Sequence, residues 1–299
     1  MDYKKIIKNR ETRFKILSLL SFLPDDLMII IQYFIKLKRF PNLNNPTRFS
    51  EKIQWYKLFY RDSKMTIAAD KFKVREYLSK KNLDNLLVDL YAVYENSDEI
   101  EIKNLPKKFV MKTSDGSGTN IFCKNKNEVD EKNLKDQFKI WLHRDSYNAG
   151  REWAYNGIKP RIIVEEFLED EYQRNGVNDY KFFCFNGEPK YVMHNVNRFE
   201  NHIRNFYDID WNFIPVNFEG IEAKDIFEKP SHLNQMVKIA SILAKDFPFV
   251  RVDLYSVNKK IYFGELTFYP WTGYVQFDPD EFDFILGEKF ILPNPKKEL

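Results

Sequence analysis

The segment FVRVDLYSVNKKIYFGELTFYPWTG, residues 249–273, constrains the fold more than any other stretch of the chain. Apolar residues recur on both sides of Asn258 and Lys259, which reads as two antiparallel strands joined by a tight turn. Arg251, Asp253 and Glu265 sit inside those apolar runs. Arg251 and Asp253 are two residues apart and share a strand face. In a hairpin turning near Asn258 and Lys259, Asp253 and Glu265 could point to the same face. Two carboxylates on adjacent strands suit hard Mg²⁺, which takes its other oxygens from water and nucleotide phosphates. An arginine beside them can fork onto a phosphate or carboxylate. The plain alternative is a cross-strand lattice of salt bridges, and spacing alone leaves both open.

Two further stretches carry chemistry. In FVMKTSDGSGTN, residues 109–120, an apolar strand ends at Lys112, and Gly116, Ser117 and Gly118 follow. Glycines let a backbone close tightly and aim N–H groups at phosphates, and a strand-end lysine can neutralise a phosphate oxygen. No G-K-[ST] ends the loop, so it is not a Walker motif; a hairpin turn with a solvated lysine is the plain alternative. In VEEFLED, residues 164–170, a strand runs into Glu165, Glu166, Phe167 and Leu168. Such a stretch can present backbone groups to an adenine edge, or be a solvated strand end.

In this order the three stretches resemble the ATP-grasp superfamily. There a strand lysine precedes a mobile Gly-rich loop, a hinge E-x-F/W-L follows, an acidic residue reaches the ribose, and R-x-D and E-x-N close the site. Lys112, Gly116-Ser117-Gly118, Glu165-x-Phe167-Leu168, Asp179, Arg251-x-Asp253 and Glu265-x-Thr267 match in turn, and Asp70-Lys71 stands where many members carry an earlier Asp-Lys. Thr267 departs from the usual Asn and leaves one side-chain oxygen, which puts a second magnesium site in doubt.

Residues 40–275 more narrowly resemble the TupA-like ATP-grasp family, through PNLNNPTRFSEKIQWYKL, AADKFKVREYL, LPKKFVMKTSDGSG, DYKFFCFNGEPKYV and YFGELTFYPWTG. The resemblance implies an α+β ATP-grasp fold, two sub-domains clamping ATP, behind a helical N-terminal segment. The expected division is a basic helical segment at 1–82, a lid sub-domain and hinge at 83–170, and a C-terminal sub-domain with the metal site at 171–299. It implies a bacterial ligase of capsular or surface polysaccharide biosynthesis. ATP would phosphorylate a carboxylate, a uronic acid, and an amino acid or other amine would then form an amide.

On that reading Lys71, Lys112 and the 116–118 loop hold phosphates, and Glu165, Glu166, Phe167, Leu168, Asp179 and Lys181 face the nucleotide. Asp253 and Glu265, with Thr267 as an extra contact, hold Mg²⁺. Arg251 and Lys112 act on the transferring group. In MHNVNRFENHIRNFYDIDW, His194, Arg198, His202 and Arg204 are candidates for binding a uronate on a free, lipid-linked or nucleotide-linked saccharide; a solvated loop is the alternative. Two other activities stay open. Asp208-x-Asp210 is compatible with a glycosyltransferase metal pair, and the same fold is compatible with a sugar kinase.

Charge and cysteines bear on location. Residues 1–82 hold 19 Lys and Arg against 8 Asp and Glu, a balance of +11 within a net +3. That asymmetry favours an anionic partner, but no nucleic-acid motif accompanies it. Residues 14–37 form apolar clusters broken at Pro24, too short to span a bilayer. They read as two amphipathic helices, the second capped by Asp25 or Asp26, that either pack on the body or lie on an anionic membrane. Cys123 and Cys184 form no C-x-x-C pair and no secretory signal precedes them, so a cytoplasmic location is expected. The four histidines lack zinc spacing. The aromatic excess, 27 Phe and 17 Tyr, reads first as core packing.

Overall fold

The computed structural model describes residues 9–170, 177–196, 202–224 and 226–297. The chain opens with helices α1 (Arg10–Leu19), α2 (Asp25–Leu37) and α3 (Phe49–Phe59), strand β1 (Tyr60–Arg61), and helices α4 (Ser63–Ala69) and α5 (Val74–Ser79). Strands β2 (Leu90–Tyr94), β3 (Phe109–Thr113) and β4 (Asn120–Cys123) follow, then α6 (Glu131–Leu142), α7 (Ser146–Gly150) and β5 (Ile162–Glu165). Next come β6 (Asn178–Phe185), β7 (Glu188–Val196), β8 (Ile203–Asp208), β9 (Phe213–Ile214) and β10 (Asn217–Phe218). Helix α8 (Leu233–Ala244), β11 (Phe249–Val257), β12 (Lys260–Thr267), β13 (Phe277–Asp278), α9 (Glu281–Lys289) and β14 (Lys296–Lys297) complete the chain.

Two antiparallel sheets form the frame. One has four strands in the order β2-β5-β3-β4, the other six in the order β12-β11-β6-β7-β8-β9. The four-stranded sheet is covered by α6, whose Leu134 and Phe138 join Phe109, Met111, Ile162 and Val164 in a small core. The larger core lies under the six-stranded sheet. Leu233, Met236, Ala240, Leu243 and Ala244 recur at helical spacing on α8 and pack against β6, β7 and β11. Aromatic rings fill it: Phe49 meets Phe183, Phe185 and Phe249 edge-on, at centroid distances of 6.3, 6.2 and 5.1 Å. Much of the aromatic excess is thus core.

Several local expectations shift. The break at Pro24 is present, but Pro24 itself occupies the N-cap position, and the Asp26 carboxylate, one residue into the helix, accepts from the Leu27 amide at 2.8 Å. Asp25 instead accepts from Arg61 at 3.1 Å and the Tyr147 hydroxyl at 2.6 Å. Helix α3 starts at Phe49; the next residue, Ser50, is fully buried, and its hydroxyl donates to Asp283 at 2.6 Å. Helices α4 and α5 are separate elements. The Asp70 carboxylate accepts from the Phe72 and Lys73 amides at 2.9 and 3.3 Å, a local turn that competes with helix and isolates Lys71 between α4 and α5. No helix among the described residues is long and apolar enough to cross a membrane.

Candidate active site

The hairpin of β11 and β12 turns at Asn258 and Lys259, both left-handed, as a two-residue hairpin loop requires. Counted from that turn, Val257 pairs Lys260 and Leu254 pairs Phe263, after which the register shifts and Asp253 pairs Glu265. Gly264 is the extra residue, a β-bulge. A Cβ there would lie 3.0 Å from the Asp253 carbonyl and 3.1 Å from the Tyr255 ring. The bulge turns Glu265 and Thr267 onto the face of Asp253 and Arg251; a regular ladder would set Glu265 opposite Val252 and aim it the other way.

On that face Arg251 makes a bidentate contact with Asp253, Nε and Nη2 both at 2.7 Å, and its Nη2 also donates to Glu265 at 3.1 Å and the Thr267 hydroxyl at 3.0 Å. Across β6, Lys181 contacts Asp253 and pairs Asp179 at 2.8 Å. Asp253 is 1% exposed, whereas the Glu265 side chain keeps 36%. Loss of solvent opposes ionisation of Glu265, but Arg251, Lys181 and Lys71 together pull its pKa down to about 2. Among the described residues no group of three or more His, Cys, Asp or Glu could hold a metal alone. Asp253, Glu265 and the Thr267 hydroxyl nevertheless form an adjacent set of hard oxygens. That set fits a Mg²⁺ that completes its shell with phosphate and water.

The second basic group stands on the four-stranded sheet. Lys112 pairs Glu165 on neighbouring β5 at 2.6 Å, and Arg75 approaches the same carboxylate at 4.0 Å. The Lys71 ammonium donates to the Gly116 carbonyl at 2.6 Å, so it holds the glycine turn directly. Burial, reinforced by the Lys112 charge and opposed by Glu265, holds Lys71 below the usual lysine range. Gly116 is left-handed, and a Cβ on it would meet the Ser146 hydroxyl at 2.5 Å. Only glycine lets the turn close there.

Between the sheets lies a cavity of about 400 Å³. Val88, Val110, Phe167, Leu168 and Phe263 supply apolar walls; Lys112, Glu165 and Glu166 supply charge. Space of this size and lining suits a flat heterocycle with a polar edge. Asp179 lies outside this wall. It is 2% exposed, bonded by Lys181 and by the Asn195 amide at 3.3 Å, and one of its oxygens has no hydrogen-bond partner. A second cavity, of about 540 Å³, borders the glycine turn on its other side and is walled by α1, α2, Trp271 and Thr272.

The remaining candidates scatter. His194 is 3% exposed, stacked on Tyr180 at 4.5 Å; burial lowers its pKa to about 4, so it is a neutral ring in the aromatic core. Arg204 pairs Glu219 at 2.7 Å, and Glu219 lines the second cavity. Arg198 lies outside the described residues. Asp208 accepts from the Asp210 and Asn212 amides at 3.0 and 2.8 Å, closing the turn between β8 and β9. That local role accounts for the D-x-D pair without a metal. Sequence reasoning singled out neither Asp115 nor Glu152, which line the second cavity. Only tertiary packing brings them together; the one hint was Asp115's place beside the glycines.

A family model described as TupA-like ATPgrasp matches residues 51–291. No curated protein matches the chain. Similar solved structures include D-alanine–D-alanine ligase from Bacillus anthracis, at 15% identity and a TM-score of 0.42, covering 67% of this chain and 57% of that one. Phosphoribosylamine–glycine ligase from Thermotoga maritima aligns at 12% identity and a TM-score of 0.40, over 68% and 48%. The ATP-grasp ligase PsnB complexed with minimal precursor aligns at 10% identity and 0.38, over 69% and 53%. The chain spans about half the length of these structures.

Proposed function

The chain belongs to the TupA-like ATP-grasp family, and on that premise we propose that it spends ATP to activate a carboxylate and join it to an amine, releasing ADP and phosphate. The observation that carries the proposal is the Arg251–Asp253–Glu265–Thr267 cluster, with Lys71, which holds the glycine turn, close enough to lower the Glu265 pKa and Lys112 on the wall of the inter-sheet cavity. The corresponding division of labour is a lid and hinge within 83–170 and a metal-bearing sub-domain within 171–299.

A carboxylate oxygen attacks the γ-phosphorus, the bond to the bridging oxygen of ADP breaks, and an acyl phosphate results. The amine nitrogen then attacks the acyl carbon, and the C–O bond to phosphate breaks. Such a transfer needs position and charge more than covalent help. Lys71 and Lys112 neutralise phosphate oxygens, and the amides of the 116–118 turn cradle them. Glu165, Glu166, Phe167 and Leu168 hold the base. Lys181, with Asp179 behind it, orients Asp253 from the neighbouring strand. Asp253 and Glu265, with Thr267, would hold Mg²⁺, which when bound supplies neutralising charge to the β- and γ-phosphates. Arg251 orients both carboxylates and is placed to steady the acyl phosphate.

We propose a uronic acid of a capsular or surface polysaccharide as the carboxylate, on a free, lipid-linked or nucleotide-linked saccharide, with Arg204 among its contacts. A cytoplasmic enzyme touching the inner membrane face through its N-terminal segment fits that substrate. Incubation with ATP, Mg²⁺, glucuronate or galacturonate and an amino-acid pool, read by mass, tests the reading. The expected product is the acid plus the amine less water, with ADP. A phosphorylated sugar, or ADP release independent of any acid, would sink it.

A further inference from the structure

The second cavity contains an unmet demand for a hydrogen-bond donor. Asp115 is 5% exposed and lines this cavity; one carboxylate oxygen accepts from the Ser146 hydroxyl at 2.5 Å, and the other has no partner in the protein. A buried, unpaired carboxylate oxygen is costly unless a ligand supplies the donor. Glu152 lines the same cavity, bonded by the Thr272 side chain. Thr272 is held there by its backbone: Trp271 and Thr272 are both left-handed, and Gln54 and Lys57 donate to the Thr272 carbonyl at 3.1 and 2.7 Å. At Gly150 a Cβ would come within 2.6 Å of Thr272 and 3.0 Å of Glu152, so the glycine leaves room for this pair. Cations stand on the helical wall, Arg13 and Lys36 among them, and the apolar side chains Leu17, Ile31 and Ile35 lie beside them.

We propose that this cavity is the amine site: it takes an α-amino acid with an apolar side chain, its ammonium held between Asp115 and Glu152. An ammonium has three donors and no acceptor, which matches two carboxylates on the wall of one cavity. The carboxylate of the same molecule meets the basic helical wall, and its side chain meets the aliphatic residues. Glu152 then takes one proton from the ammonium. The freed nitrogen attacks the acyl carbon, the bond from that carbon to phosphate breaks, and the second proton leaves with phosphate. Burial holds Glu152 above the ordinary carboxylate range against the pull of Lys57, which suits a proton acceptor. The inference rests on the ligase reading and adds the amine's class and place.

Trp141 and Trp271 line the cavity and report its filling by fluorescence. L-Leucine should give a saturable change in the native protein; 4-methylpentanoate, which lacks the ammonium, should not. Glu152→Gln should weaken leucine binding by about tenfold or more, as loss of a charged hydrogen bond does, and Glu152→Asp by less. Thr272→Val, which only removes the orienting hydroxyl, gives a smaller loss and serves if Glu152→Gln fails to fold. No saturable response to leucine, or equal affinity in native protein and variants, overturns the assignment. Hydroxylamine separates this from the parent reading, since it is largely neutral near pH 7 and needs no carboxylate to bind it. Hydroxamate formed from a uronate and ATP, without leucine binding, defeats the amine site alone. Leucine binding without any acid-dependent ADP release defeats the ligase reading and with it the amine role, leaving an amino-acid pocket only.

Discussion

Asp253 and Glu265 face each other across one strand pair, yet their surroundings give them different weights. Asp253 is 1% exposed and satisfied by both Arg251 and Lys181. Removing one partner of a buried ionic cluster strands the others. Asp253→Asn is therefore expected to cost about 3 kcal/mol of stability as well as activity. The Glu265 side chain is 36% exposed, so Glu265→Gln should cost about 1 kcal/mol or less. Both should lower acid-dependent ADP release about 100-fold or more if both hold the metal. Paired melts and turnover assays check this, and full turnover by either variant removes it from the metal site. The sign with pH follows from a depressed pKa. Glu265 contributes above its unfolded value, about 4.3, and that contribution fades as pH falls through the folded value of about 2. The stability gap between native protein and Glu265→Gln should close across that range.

Strands and loops show what the sequence could and could not disclose. The hairpin, its turn at Asn258 and Lys259, the strand that carries Lys112 and the strand that runs into Glu165 were legible, because period-2 patterning and turn residues are local signals. Register was not. A plain count from the turn sets Glu265 against Val252; the observed pairing with Asp253 exists only through the bulge at Gly264. A lone glycine inside a strand is the available sign of such a bulge, and it does not fix the face. Nor was the partnership of Lys181 with Asp253 legible, since neighbouring strands 72 residues apart carry no local mark. His194 looked like a ligand and is a core ring, because its exposure depends on Trp211 and Phe227 packing around it. The bulge itself is testable. Gly264→Ala places a methyl 3.0 Å from the Asp253 carbonyl and should destabilise by about 1–3 kcal/mol, as overpacking does. Turnover should fall along with stability, since Glu265 must move with the strand. Melting and ADP release both report it; a silent alanine would mean the bulge does not depend on glycine.

At the scale of the whole molecule, the basic N-terminal third and the acidic remainder partly neutralise one another. Arg39 pairs Asp280 and Asp283, both at 2.9 Å, and Arg48 pairs Asp280 at 2.6 Å. Helix α2 buries Met28, Ile29, Tyr33 and Leu37, so it is packed on the body along one face. The charge surplus alone is thus a weaker argument for a membrane than the sequence suggested. The apolar residues left outside are the stronger one. Leu19, at the end of α1, and Phe22, before α2, are 76% and 77% exposed, and Phe40 is 69% exposed just beyond α2. Single exposed apolar residues are ordinary, whereas several large ones around one helical pair mark a contact surface. We therefore predict weak, reversible binding to anionic vesicles, with Leu19 and Phe22 entering the interface. Each unpaired Lys or Arg near the surface adds about 1 kcal/mol. Added salt should reduce binding, because surface attraction is screened within about 8 Å at physiological ionic strength. Sedimentation with phosphatidylserine vesicles should pellet the native protein, and neutral phosphatidylcholine vesicles should not. The double variant Leu19→Ser, Phe22→Ser should stay in the supernatant while keeping its melting temperature, since neither side chain is part of the core. Equal recovery with both lipids, or pelleting unchanged by the double variant, would leave the helices as packing elements.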